Sequence, residues 1–447
     1  MISTLLTRRS LLTLVLTCAL TAPTVAQTLA RPGWQGSGIA TDLWWKHAIF
    51  YEVDPARFNP LANEAPLRAL LQRLDYIHDL GIDAILLTPV ATDAAHPTRI
   101  NPNLGTLDDF DDLLREASRR DLRVLLELNS RIASDELPAV ARFWLNRGVA
   151  GFHLIGSGAT EHAQAESLRA ITSAFLGRRI LIADADPSLP FDPRQRTYKA
   201  PNTQSAELLL SASLARQDKL AASSVRPVLG VMQDIFDAGR SLPLLATDGE
   251  AFQRSFTRYA DGQHDVAIAK VLATILLATR AESLLYYGQE LGVPSPDPVP
   301  PITWSSSSPN AKRTASVGQT TLAAPNAALE EADSDSLLNW YRQLIALHHG
   351  SATIASGSSI TIDEDDKDVL VWIRKPHSIT PRTPALVIVC NLTGEPVTLS
   401  LTASLKHLQL RGSFLRTVLR SDKGMGTMHL DSMTIAPYTA YVGQLQF

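Results

Sequence analysis

The sequence predicts an α/β fold, a TIM (β/α)8 barrel followed by a small C-terminal antiparallel β-sandwich domain. Two observations carry that reading. From Asp42 to His349, short apolar runs alternate with amphipathic helical stretches, and repeated βα units lay their strands side by side in a parallel sheet with the helices outside. After Ser351 the helical period gives way to short β-rich runs separated by turn residues. The barrel is accordingly assigned to residues 42–350 and the β domain to 351–447.

In chain order, Ala48–Val53 reads as the first strand and Leu67–Leu80 as one helix, stopped at Gly81. Ala84–Thr88 is the second strand. Asp108–Arg120 is a helix whose first-turn acids suit the positive end of the helix dipole. Arg123–Leu128 is the third strand, Asp135–Arg147 a helix, and Val149–Ile155 the fourth strand after a turn at Gly148. Glu161–Leu176 and Arg179–Asp184 supply the next helix and the fifth strand. Glu207–Ser211, Val225–Ala238 and Leu242–Ala246 read as strand, helix and strand. Asp265–Ala278 is a strongly apolar helix, and Glu282–Tyr287 is the eighth strand. A Pro- and Ser-rich loop, Pro294–Asn326, leads to a last amphipathic helix, Ser334–His349. In the β domain the runs Ile360–Ile362, Val369–Arg374, Ala385–Asn391, Val397–Leu401 and Thr439–Leu445 read as strands.

The chain has 447 residues, is 45% hydrophobic and carries a net charge of −4. That length and apolar content support a large core plus a second domain. The mild, mixed charge suggests neither nucleic acid nor an anionic membrane surface as a partner. Residues 1–26 read as a signal peptide. Thr7–Leu12 contains a twin-arginine-like pair, Leu11–Leu20 is a short apolar core, and Thr24-Val25-Ala26 is a small-residue cleavage site. Leu11–Ala26 falls short of the roughly 20 apolar residues that span a bilayer. The expectation is a cleaved leader, no membrane span afterwards, and an exported bacterial protein, periplasmic or secreted. Of the two cysteines, Cys18 lies in the leader, so the mature chain keeps Cys390 and forms no internal disulfide. Zinc-type His/Cys spacing and a phosphate-binding Gly loop are both absent, so no metal and no cofactor is expected.

Phe143–Gly158 is the most informative stretch. Phe143-Trp144-Leu145, Gly148-Val149-Ala150-Gly151-Phe152-His153-Leu154-Ile155 resembles the fourth barrel strand of the α-amylase family of glycoside hydrolases (glycoside hydrolase family 13). Trp44–Val53 resembles that family's opening strand and Leu74–Pro89 its first helix and second strand. Leu104–Phe110 is similar to its helix start, and Tyr286–Gly292 to the end of its eighth strand. Pro301–Trp304 and Ser308–Ala311 are similar to a loop of its oligosaccharide-cleaving members. The resemblance implies an amylase-type barrel over most of Asp42–Phe447, a divergent member in which the family's inserted domain between strand three and the next helix is reduced to Asn129–Ser134.

The resemblance also assigns positions, and here the chain departs from the family. The nucleophilic Asp is Ile155, and the strand-four Arg is His153. Ile has no lone pair, whereas a retaining glycosidase needs two carboxyl groups about 5 Å apart. After strand three, Glu127 stands at the family Asp, with Arg131 and Ile132 at its Asn-His pair. The general acid, a Glu in the family, is Asp184, one methylene shorter. After strand seven, Asp248 keeps the position of the transition-state-stabilising Asp, while Thr247 replaces the neighbouring His. The candidate catalytic residues are thus Asp184 and Asp248. The candidate substrate-binding positions are His153, Glu127, Arg131 and Thr247. Asp186 is either a replacement carboxylate or a loop cap before Pro187. Trp34, Trp44, Trp45, Trp304 and Trp372 are candidates to stack on sugar rings, with Trp45 and Trp372 assigned to the core by their apolar neighbours.

Three functions fit these residues. One is a catalytically impaired, exported family member of carbohydrate metabolism, a pseudoenzyme that binds α-linked glucose oligosaccharide or a protein partner. The second is an active α-glucosidase or α-amylase-type hydrolase with a rearranged carboxylate site using Asp184 and Asp248. The third is a non-catalytic assembly partner of another exported protein.

Overall fold

The computed structural model describes residues 43–446 apart from 62, 157–158, 186–190, 193–196, 199–205, 240, 296–300, 306–313, 318–319, 324, 363–365, 423 and 425. The expected leader, Trp34, Asp186 and the Ser308–Ala311 motif lie outside the described residues.

Eight parallel strands close into a barrel: β1 (Ile49–Val53), β2 (Ala84–Leu87), β3 (Arg123–Asn129), β4 (Gly151–Ile155), β5 (Ile180–Asp184), β6 (Leu208–Ser211), β7 (Leu242–Ala246) and β8 (Glu282–Tyr286). Each pairs with its sequence neighbours, and β8 closes on β1 through Phe50 opposite Leu284. Side chains alternate in and out along each strand, so one face of β1 (Tyr51, Val53) meets the outer helices and the other (Phe50, Glu52) meets the barrel axis.

The register resolves the interior into layers. Crossing two strands of a tilted barrel advances the chain by two residues, so alternate strands share a layer. Pairing takes Phe50 through Ala84 to Arg123, and two residues on is Leu125. The same step leads to Ile182, then Leu244, then back to β1. All four of these side chains are buried in one apolar cluster. The even strands give a second layer above it, Leu86, His153, Leu210 and Leu284. The next layer from the odd strands is Glu52, Glu127, Asp184 and Ala246. The barrel is thus oily to mid-height and turns carboxylic at its C-terminal rim. At the other end Trp44 and Trp45, 5.9 Å apart edge to face, plug the bottom beside Ala48.

Local sequence explains the helices that clothe it. The run 67–80, expected as one helix, is two, α1 (Pro66–Leu71) and α2 (Leu74–Leu80). The ladder tightens between them, where Arg73 N–H bonds Leu70 O three residues back. Gly81 and Gly148 end α2 and α4 (Leu137–Arg147) at φ of 102° and 113°. Helix α3 (Leu107–Arg119) starts with a reciprocal capping box between Thr106 and Asp109. Helix α5 (Ala159–Ala174) follows β4, and α6 (Ala222–Ala238) follows β6. Helix α7 (Asp265–Ala278) is apolar nearly all round because the barrel, α8 (Leu337–Gly350) and the C-terminal sheet surround it.

The C-terminal region is a six-stranded antiparallel sheet facing a two-stranded one. The six are β9 (Ser358–Ile362), β10 (Val369–Lys375), β11 (Leu386–Asn391), β13 (Phe414–Arg420), β14 (Thr427–His429) and β16 (Ala440–Gln446). The two are β12 (Val397–Leu399) and β15 (Met433–Ile435). Strand β13, unforeseen in the sequence, sits beside β16 and carries a register shift between Thr417 and Leu419. That shift breaks the two-residue period. Residues on β11 alternate strictly: Leu386, Ile388 and the free thiol Cys390 pack toward the barrel, while Val387 and Val389 pack under Met433 and Ile435. Trp372 Nε1 and Arg374 Nη1 both donate to Ala278 O, at 3.2 and 2.9 Å, and so satisfy the carbonyl end of α7.

Of the candidate stacking tryptophans, Trp44, Trp45 and Trp372 are buried. Trp304 packs edge-on against Phe58 and Tyr76 beneath the Arg73 guanidinium, so it too is committed to internal contacts.

Candidate functional site

The rim layer brings three of the singled-out residues together. His153 lies between two carboxylates, with Nδ1 3.3 Å from Glu127 Oε1 and Nε2 3.1 Å from Asp184 Oδ1. His153 and Glu127 are buried, whereas the Asp184 side chain is 40% exposed. Burial alone would lower the imidazole pKa. The hydrogen bonds to Asp184 and Glu127 outweigh it and raise the group to about 10. His153 is therefore an imidazolium donating from both ring nitrogens. It holds Asp184 and Glu127 in one ion-paired chain.

Asp248 is elsewhere engaged. The rim place on β7 belongs to Ala246, and Asp248 follows two residues later, fully enclosed. One carboxylate oxygen accepts the Ser255 N–H and the other accepts Ser255 Oγ–H at 2.6 Å. Burial raises its pKa, opposed by the Ser255 hydrogen bonds and by the Arg258 and Arg254 charges. It pins the loop after β7 to the helical turn Ser255–Arg258. Thr247 accepts a hydrogen bond from Gln289 Nε2 and is likewise sealed. Arg131 is exposed, its backbone N–H bonded to Asn129 Oδ1, and it makes no contact with the rim cluster; Ile132 is core. Ile155 continues β4 past His153, and Ser130 N–H bonds its carbonyl at 2.9 Å. At Gly156, φ is 158° and a Cβ would lie 2.0 Å from Ser130 Oγ, so the turn leaving β4 has room only for glycine.

The structure adds residues that the motifs did not disclose. Glu52 on β1 completes the rim layer, and burial followed by the Glu127 charge raises its carboxyl to about 8, with His153 pulling the other way. Arg254 lies with its guanidinium 4.5 Å over Tyr286 and over Tyr287, donating from Nη1 to Tyr287 O. Glu52 had a sequence signal in its parity with Phe50, but only once the strand register is known. The Tyr286–Gly292 motif is scaffolding: Glu290 accepts from Tyr51 and Tyr76 hydroxyls at 2.8 and 2.7 Å. Among the described residues no group of three or more His, Cys, Asp or Glu side chains is arranged to hold a metal ion.

Residues 53–137 match the family model for the α-amylase catalytic domain. Over that segment the chain is similar to the α-amylase family. The trehalose-6-phosphate hydrolase of Escherichia coli (strain K12) is 39% identical over 95 residues, 19% of this chain and 17% of that protein. The match to that curated relative thus spans about a sixth of its length. The amino acid transporter heavy chain SLC3A2 of Oryctolagus cuniculus is 24% identical over 338 residues, covering 67% of this chain and 58% of that protein. The trehalulose synthase MutB from Pseudomonas mesoacidophila MX-45 superposes with a TM-score of 0.73 at 17% identity, over 91% of this chain and 100% of that one, a likeness of fold. The segment matching the family model ends before β4, so the family positions on β4, β5 and β7 lie in its divergent part.

Proposed function

We propose that this family member binds carbohydrate at the barrel rim without hydrolysing it, and that it is exported by its leader. The observation supporting this most directly is how the three catalytic positions are occupied. Ile155 offers no nucleophile, Asp248 has both oxygens on Ser255, and Asp184 is ion-paired to His153. A general acid must arrive protonated and free to reach the leaving oxygen. Asp184 is instead held by His153 Nε2 at 3.1 Å. The relatives' printed activities, hydrolysis of trehalose 6-phosphate among them, make an α-glucoside the first ligand to try.

The test is hydrolysis of maltooligosaccharides and an activated α-glucoside by the mature chain, beside its thermal unfolding with and without maltotriose. Expected is no turnover above background and a saturable rise in Tm. Turnover abolished by both Asp184→Ala and Asp248→Ala would establish the rearranged hydrolase instead. Absence of both turnover and stabilisation would leave the assembly-partner role, which the extended similarity to a transporter heavy chain favours. Export is tested by fractionation, with the mature chain expected outside the cytoplasm.

A further inference from the structure

One side chain of the rim layer stands apart from the others. Glu127 and Asp184 are engaged by His153, and the fourth member, Ala246, presents only a methyl. Glu52 is 8% exposed and points to the barrel axis, yet its carboxyl has no hydrogen-bond or ion-pair partner among the described residues. Its register neighbour on β8 is Tyr286, 3% exposed, whose hydroxyl likewise bonds no described residue. Arg254 lies over that tyrosine ring but spends Nη1 on Tyr287 O and forms no ion pair with Glu52. A carboxyl buried without a partner is costly, and native structures reserve such groups for a role. Among the described residues the Glu127 and Glu250 charges act on Glu52 against those of His153 and Arg254.

We propose that the rim binds the protonated amine of a small hydroxylated ligand, an amino sugar in chemical class, with its ammonium on Glu52 beside Ala246 and a hydroxyl on Tyr286. This rests on the carbohydrate-binding reading and narrows it. An ammonium needs few acceptors and is matched by one unpartnered carboxyl among engaged ones. A calcium ion takes six to eight oxygens, which the described residues of this rim do not offer. A neutral sugar would leave Glu52 holding its proton, whereas an ammonium releases that proton to solvent and pairs with the carboxylate.

The experiment is calorimetric titration of the mature chain with D-glucosamine hydrochloride, D-glucose and maltotriose. Potassium chloride and calcium chloride serve as controls at matched ionic strength. Glu52→Gln and Tyr286→Phe are run in parallel, after circular dichroism has shown that they fold. Expected is glucosamine binding at least tenfold tighter than glucose, a tenfold or greater loss in Glu52→Gln, and a smaller loss in Tyr286→Phe. Equal binding of glucosamine and glucose, or an unchanged Glu52→Gln, overturns the amine assignment. A saturable signal with potassium or calcium alone overturns it in favour of a metal cation. Maltotriose binding without glucosamine binding sinks the amine proposal and leaves the carbohydrate reading standing. Binding of none of the three sugars removes both.

Discussion

Asp248 gives both carboxylate oxygens to Ser255, one to its backbone N–H and one to its hydroxyl. The residue that the resemblance places at the transition-state-stabilising position is here a loop clamp. Asp248→Ala leaves a buried N–H and a hydroxyl without an acceptor, so it is expected to destabilise the fold by about 2 kcal/mol. Ser255→Ala removes only the hydroxyl and should cost less. Denaturant midpoints measure both; equal stability of Asp248→Ala and the parent would show that the clamp carries no energy.

His153→Phe is expected to be more damaging, by about 3 kcal/mol at neutral pH, because it strands the buried Glu127 and leaves Asp184 without its counterion. The loss depends on pH in a fixed sense. The imidazole is raised from 6.5 to about 10 in the folded chain. Its stabilisation is therefore complete below pH 6.5 and disappears as pH rises through 10. Urea unfolding at pH 6, 8 and 10 should show parent and variant converging; a constant gap would contradict an ion-paired imidazolium.

Glu52 gives a second pH signature. Its folded-state value of about 8 lies above the ordinary 4.5, raised by burial and by Glu127 and Glu250, and opposed by His153 and Arg254. The folded chain holds this proton between pH 4.5 and 8 while the unfolded chain does not. Stability from this group is full below pH 4.5 and lost as pH rises through 8. Glu52→Gln, which cannot ionise, should therefore be more stable than the parent at pH 9 and close to it at pH 5. Melting curves across that window would decide it, and a variant less stable at pH 9 would refute the assignment.

Arg374 is fully buried and spans Ala278 O, Ile354 O and Gly357 O. Arg374→Met keeps the length of the side chain but strips Ile354 O and Gly357 O of this donor and leaves Ala278 O with Trp372 Nε1 alone. The expected cost is about 3 kcal/mol or more, with the β sheet loosening first. Limited proteolysis followed by mass spectrometry should place the early cuts within 351–446; cuts confined to the barrel would argue against it.

The barrel was legible because strand and helix periods alternate without ambiguity, and Leu242–Ala246 and Asp265–Ala278 have the residue bounds that the sequence suggests. Strand β13 was not, because its register shift places Val418 and Leu419 consecutively where a half-buried strand alternates. In the site, the substitutions at Ile155 and His153 could be read directly from the β4 motif. The joining of His153 to Glu127 and Asp184 could not, since three distant segments meet only when the barrel closes. Glu52 escaped for a related reason. Every residue of β1 is buried, so polarity along the strand does not say which side chains face the axis.

Cys390 lies at the seam between the sheet and the barrel, fully buried, with burial pushing its thiol up beyond ordinary reactivity. The other cysteine of the chain, Cys18, lies in the segment proposed as a leader. The rate at which Cys390 reacts with a small alkylating reagent is then a clock for how often the sheet lifts from the barrel, built into the wild-type chain and readable without a label or a substitution.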